Sequence, residues 1–191
     1  HQIDTAVGRM IEGLRQEGLW ENTIVVFTSD HGDFLGDHGR LRKGFTPADA
    51  LLRLPFIVRA PGAGLPAQAD TPMSNVDVLP TLAALTSVTP PDWVHGVDIT
   101  EVVRERREHI ALAYCSNGVP DVNNYTLYDD HFRYTLYPHR GYAELYDHRT
   151  DPGECDNQID AQAGRAATMR RRIETALIRH RNPILGRVSA W

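Results

Sequence analysis

The run Asn22–Thr28 is short, β-branched and apolar, and it stops abruptly at a polar loop that opens Ser29-Asp30-His31-Gly32. Such a run reads as a buried strand of a parallel sheet. In doubly wound α/β sheets ligands bind beyond the carboxyl ends of the strands, so Asp30 and His31 stand where a ligand would be met. The segment before it runs in helical stride, with Ile3, Val7, Met10, Ile11 and Leu14 on one face and Gly18 as its stop. No Ser, Thr, Asp or Asn precedes Ile3 as a cap, and there is no initiator methionine. A chain that begins inside a helix is expected to be part of something longer.

Beyond the loop, Leu54–Arg59 reads as a second strand closed by Pro61-Gly62, and Val76–Leu85 as a helix with Pro80 tolerated in its first turn. Helix, strand, loop, strand, helix is an α/β alternation. After Asp98 the texture changes. His109–Cys115, Tyr125–Tyr128, Phe132–Tyr137 and Ala143–Tyr146 are aromatic-rich runs separated by turns, the pattern of a small antiparallel sheet. A last helix over Gln162–His180 places Ala166, Met169, Ile173 and Leu177 on one face. The expected organisation is an α/β segment over residues 1–98 carrying a loop at 29–43, then an α+β subdomain over 99–191.

Composition narrows the function classes. The chain has 191 residues, 24% of them charged, and a formal net charge of −5, which argues against a nucleic-acid surface. No apolar run approaches the roughly 20 residues of a membrane-spanning helix. Cys115 and Cys155 are too few for a disulfide framework or a cysteine zinc site. Of the 20 basic residues only Lys43 is a lysine. Where arginine replaces lysine almost everywhere, the survivor marks a position that requires a compact point charge rather than a planar fork.

A carboxylate beside an imidazole suits a divalent cation, which makes Asp30 and His31 candidate ligands. The plainer alternative is that they brace the loop. Ser29-Asp30-His31 does not read as a hydrolytic triad, because successive side chains near a strand end point to opposite faces. Gly32 permits a sharp turn or a close approach to a ligand. Asp37-His38-Gly39 repeats the pattern farther on and is expected to hold the loop's shape. Lys43, with Arg40 and Arg42 beside it, is a candidate for contact with an anionic group near the metal. The Arg170–Arg172 cluster is expected to be a solvated face paired with the acidic stretch 147–160, and Cys115 to be buried and inert. Asp77 is expected to brace a helix start, and His95, His139 and His148 to be structural.

Taken in order, these pieces resemble the sulfatase family of the alkaline-phosphatase superfamily. The resemblance is carried by Asn22–Gly32, Leu35–Gly39, Lys43, Leu54–Gly62, and Ser74–Leu82, which is similar to the family's "NVDLAPTLL" helix. It continues through Glu144–Asp147 and Asp151–Glu154 with Asn157, like the family's "ELYDL…DPGE…N" signature. It implies the C-terminal part of an alkaline-phosphatase-like doubly wound sheet. It also implies metal-dependent hydrolysis of a small anionic sulfate ester, with Asp30 and His31 as metal ligands and Lys43 as the amine that contacts the sulfate. The implied ion is calcium, with magnesium or manganese as alternatives. The family's formylglycine nucleophile arises from a C-x-P-x-R or S-x-P-x-R motif. Neither cysteine here lies in one, so that group and the remaining metal ligands are expected in an N-terminal half. The family's "YE" after the lysine is reduced to Ala48-Asp49, so this wall of the pocket is unusual. Phosphate or phosphonate esters present a similar tetrahedral anion and stay open as substrates. A non-catalytic anion- or partner-binding protein is the contrasting reading. The compartment stays open, with the cytoplasm or periplasm of a bacterium as the expectation.

Overall fold

A computed structural model describes residues 1–116, 123–129 and 131–179. Its contacts divide into two units, one made of residues 1–29 and 55–67, the other of 30–54 and 68–191.

The first unit holds helix α1 (Gln2–Gln16) and strands β1 (Val25–Thr28) and β2 (Phe56–Arg59). No side chain caps α1 at His1, and Gly18 takes φ +68° just past its end, the left-handed turn that a helix stop favours. The apolar stripe of α1 is open to solvent, with Ile3 72% and Met10 71% exposed. Strands β1 and β2 pair antiparallel in the register Val25↔Arg59 to Thr28↔Phe56. That corrects the expectation of a buried parallel strand. A β-branched apolar run reports a surface to be covered, and it carries no signal for the direction of its partner. Nor is the run buried here: Phe27 is exposed, as is its partner Ile57. Arg59 ties the sheet edge to the preceding turn. Its guanidinium donates to the Trp20 carbonyl at 2.7 Å and to Glu21 Oε2 at 3.0 Å, and lies 3.9 Å over the Trp20 ring.

The second unit holds a short helical turn α2 (Asp49–Leu52) and helices α3 (Val78–Leu85) and α4 (Ile99–Glu105). Strands β3 (Ala111–Cys115), β4 (Asn124–Asp129), β5 (Phe132–Tyr137) and β6 (Tyr142–Asp147) follow, then helix α5 (Ala163–Arg179). The four strands form one antiparallel sheet in sequence order, as the aromatic runs predict. Helix α3 is entered through a capping box in which the Ser74 side chain and the Asp77 carboxylate each serve the other's backbone N–H. Asp77 is buried and also accepts from Val97 N at 2.9 Å, so it braces this corner as expected. Helices α2 and α4 were not foreseen.

The two faces of this sheet differ in kind. Leu127, Tyr134 and Leu145 meet Ala166, Met169 and Ile173 of α5 in the main core. Period-2 alternation then sends Thr126, Arg133, Thr135 and Glu144 to the opposite face. Met169, with no exposed surface, sits at the centre of the apolar layer. Met169→Ala should destabilise the protein by about 2–5 kcal/mol through lost burial and a cavity, read from urea unfolding. Arginines 170–172 do not pair with residues 147–160. Arg170 binds Glu174 and Arg172 binds Asp129 and Glu108, the last at 2.6 Å, with Arg172 only 24% exposed. Helix position places Arg172 beside the β4 end, which sequence proximity did not indicate. Cys115 is half-buried, and burial raises its thiol against a hydrogen bond from Asn124 that lowers it, as suits an inert cysteine. His180, the end of the expected last helix, lies outside the described residues.

Candidate metal and anion site

The loop that begins at Asp30 is shaped by its own backbone. Gly36 N donates to the Arg40 carbonyl at 2.7 Å, and a 3₁₀ turn follows at Asp37–Gly39. His38 takes φ 46° there, its backbone N–H bonded to Asp37 Oδ1 at 3.0 Å and its ring edge-on to Phe34. This second Asp-His pair therefore holds the shape of the loop. Phe34, Ala48 and Leu51 form a small buried cluster beneath it.

Asp30 and His31 lie together at the start of this loop. His31 N donates to Asp30 Oδ1 at 2.9 Å, and His31 Nε2 is 3.5 Å from Asp30 Oδ2. Asn75 Nδ2 donates to the Asp30 carbonyl at 3.1 Å, a support that the sequence reading missed. His31 Nδ1 lies 2.8 Å from the Gly32 carbonyl oxygen. A carbonyl can only accept, so this contact places the proton on Nδ1 and leaves Nε2 with its lone pair. Lys43 Nζ lies 2.7 Å from that Nε2, its ammonium donating to the lone pair. The sequence candidates Asp30, His31 and Lys43 are thus gathered at one exposed point. An imidazole with an unprotonated Nε2 beside a carboxylate is a donor set that suits a divalent cation.

Gly32 has a different task from the one expected. A Cβ on Gly32 would lie 1.9 Å from the Ala50 carbonyl oxygen, and Gly32 N donates to the Leu51 carbonyl at 2.9 Å. The close approach that requires glycine is to α2, not to a ligand. Arg40 donates to Thr46 Oγ1 at 2.7 Å and lies over the Phe34 ring. It also lines a cavity of about 120 Å³ that Arg133, Glu144 and Tyr146 close from the sheet side. Arg42 is exposed. A larger cavity of about 370 Å³, at α4 and the entry to β3, contains none of the candidate residues.

Behind α2 lies a buried polar cluster. Arg133 Nε pairs with Glu154 Oε1, and His148 Nε2 lies 2.8 Å from the same oxygen. Asp49 accepts from Tyr128 at 3.2 Å. Burial alone would raise the Glu154 carboxyl, yet hydrogen bonds from His148 and Arg133 hold it down at about 2. Burial instead pushes Glu144 up, against the pull of Arg133. Asp49, His148 and Glu154 bring ligand-type atoms within 4.8 Å of one another. The charge they would offer a cation is already met by the Arg133 guanidinium, so this cluster reads as a braced core.

The scaffold defines the class first. It is an alkaline-phosphatase-like α/β arrangement carrying antiparallel sheets and a C-terminal helix. The putative sulfatase yidJ from Bacteroides fragilis, a solved structure, superposes with a TM-score of 0.78 at 27% identity over 95% of this chain and 41% of that one. The chain belongs to the sulfatase family: residues 1–88 match the Sulfatase family model. The uncharacterized sulfatase YidJ of Escherichia coli is 33% identical over 95% of this chain and 36% of its own length. The arylsulfatase of Clostridium perfringens is 30% identical over 84% of this chain and 34% of its own length. The chain therefore spans about a third of the curated relatives it matches. Among the described residues no helix is long and apolar enough to cross a membrane.

Proposed function

We propose that this chain is the metal- and lysine-bearing C-terminal part of an enzyme that hydrolyses sulfate esters. Asp30 and His31 would hold a divalent cation, calcium first with magnesium or manganese as alternatives. When bound, such a cation supplies Lewis-acid polarisation of the ester's non-bridging oxygens. The nucleophile, a formylglycine, is expected from the N-terminal half.

The chain's own residues have defined tasks in this reading. The Gly32 carbonyl fixes the His31 tautomer, so Nε2 carries the lone pair, which Lys43 yields when a cation binds. Asp30 supplies negative charge beside it. Lys43 brings a mobile ammonium to the same point, where it offsets charge on the anionic group. Arg42, exposed and next to Lys43, adds positive charge at the approach, and Arg40 stiffens the loop through Thr46. The single observation that carries the reading is the 2.7 Å meeting of Lys43 Nζ with His31 Nε2.

The test is cation titration of the full-length protein. Asp30→Ala and His31→Ala should each weaken binding by at least the ~10–100-fold that loss of a supporting group costs. Unchanged affinity and turnover in both would remove the site. Assay against aryl sulfate, phosphate monoester and phosphonate monoester decides the ester class: a preference for either phosphorus ester would overturn the sulfate assignment.

A further inference from the structure

Helix α2 lacks an end of its own. The residue that precedes it, Ala48, has no side-chain acceptor, so the first N–H of the turn would be left unserved. Glu154, 105 positions away, supplies the acceptor: Asp49 N donates to its Oε2 at 3.0 Å. Arg133 and His148 hold the other carboxylate oxygen in place. From α2 the contacts run on to the loop. The Leu51 carbonyl accepts from Gly32 N, and the Gly32 carbonyl accepts from His31 Nδ1. Among the described residues the apolar cluster around α2 is small, Phe34, Ala48 and Leu51 with Ala50 and Leu52 packed against them, and the polar contacts add to it.

We infer that Glu154 is a positioning residue for the Asp30–His31 pair, acting through α2 and Gly32 on the His31 imidazole. The inference rests on the cation site proposed above. Glu154 touches neither His31 nor the ester. It sets the register of α2, and the Ala50–Leu51 carbonyls of α2 form the wall against which Gly32 is seated. Loss of the carboxylate frees the start of α2, lets Gly32 drift and releases the ring orientation. A ligand whose orienting support is lost binds its cation less tightly even when the ligand itself is intact.

The experiment uses the full-length protein, with Glu154→Ala and Glu154→Gln compared against Arg172→Gln, which breaks an ion pair on the α5 face of the same sheet. Two properties are read: calcium or manganese affinity, and hydrogen exchange of the Gly32 amide in metal-free protein. Glu154→Ala should weaken cation binding by about 10–100-fold and accelerate Gly32 exchange by more than it accelerates the amides of β4–β6, which follow the overall loss of stability. Glu154→Gln keeps an oxygen for Asp49 N but loses the charge facing Arg133, so it should fall between wild type and alanine, and it remains measurable if alanine does not fold. Arg172→Gln should lower Tm and move neither property. Native affinity and native Gly32 exchange in a folded Glu154 variant would overturn the role. Asp30→Ala in the same titration separates the two claims. Weakened binding there with unchanged binding in the Glu154 variants overturns the positioning role alone, whereas unchanged binding in Asp30→Ala overturns the site on which it rests.

Discussion

Gly32→Ala should reduce kcat of the full-length protein by about 100-fold or more, since displacements near 1 Å at a reacting site cost that much. The added methyl would sit 1.9 Å from the Ala50 carbonyl oxygen, so either α2 or the loop must retreat. Both routes break the Gly32 N–H bond to Leu51 and swing the His31 ring, whose Nδ1 depends on the Gly32 carbonyl. Steady-state kinetics and Tm together give the check. A large fall in kcat with a small change in Tm is expected, because the strain is confined to a loop and one helical turn. An alanine variant with native kcat would show that the loop tolerates displacement.

The second large effect is on stability. Arg133 and Glu154 are 3% and 5% exposed, and removing one partner of a buried pair costs about 3–5 kcal/mol. Arg133→Met should therefore destabilise by that amount at neutral pH, as measured by urea unfolding. Its pH dependence follows from the direction of the Glu154 shift. The folded carboxyl lies at about 2, below its ordinary value of 4.5. The unfolded chain thus binds this proton first as pH falls. The stabilisation is present in full above pH 4.5 and is lost as pH falls from there toward about 2. In Arg133→Met the folded value rises, so that part of the acid slope should shrink. An unchanged slope between pH 5 and pH 3 would mean that Glu154 is not held by Arg133.

Much of the architecture was legible because it depends on repeating patterns. Strand β5 matches its expected limits at both Phe132 and Tyr137, and α5 buries Ala166, Met169 and Ile173 as the helical spacing requires. The meeting of Asp30, His31 and Lys43 in one loop was legible for another reason: their residue types and their order along the chain resemble the family pattern. What stayed hidden has no period to read. A four-residue turn such as α2 shows no amphipathic repeat, so the wall behind Gly32 is invisible in the sequence, where the glycine reads only as a sharp turn or a close approach to a ligand. The direction of the β1–β2 pairing is likewise absent from composition. Alternation did place Arg133 on one face of β5, but its carboxylate partner at position 154 comes from a turn after β6 and leaves no mark near it.

The link from Asp49 to Glu154 also sets an order of events during folding. Its two ends are 105 positions apart, so the contact closes a long segment at an entropy cost that the local strand pairs carrying Arg133 do not meet, and it is expected to follow them. On a ribosome the loop with Asp30, His31 and Lys43 emerges well before the residue that secures it. The candidate loop is thus synthesised early and is expected to be anchored late, and a chain stalled short of Glu154 would present its side chains on an unanchored support.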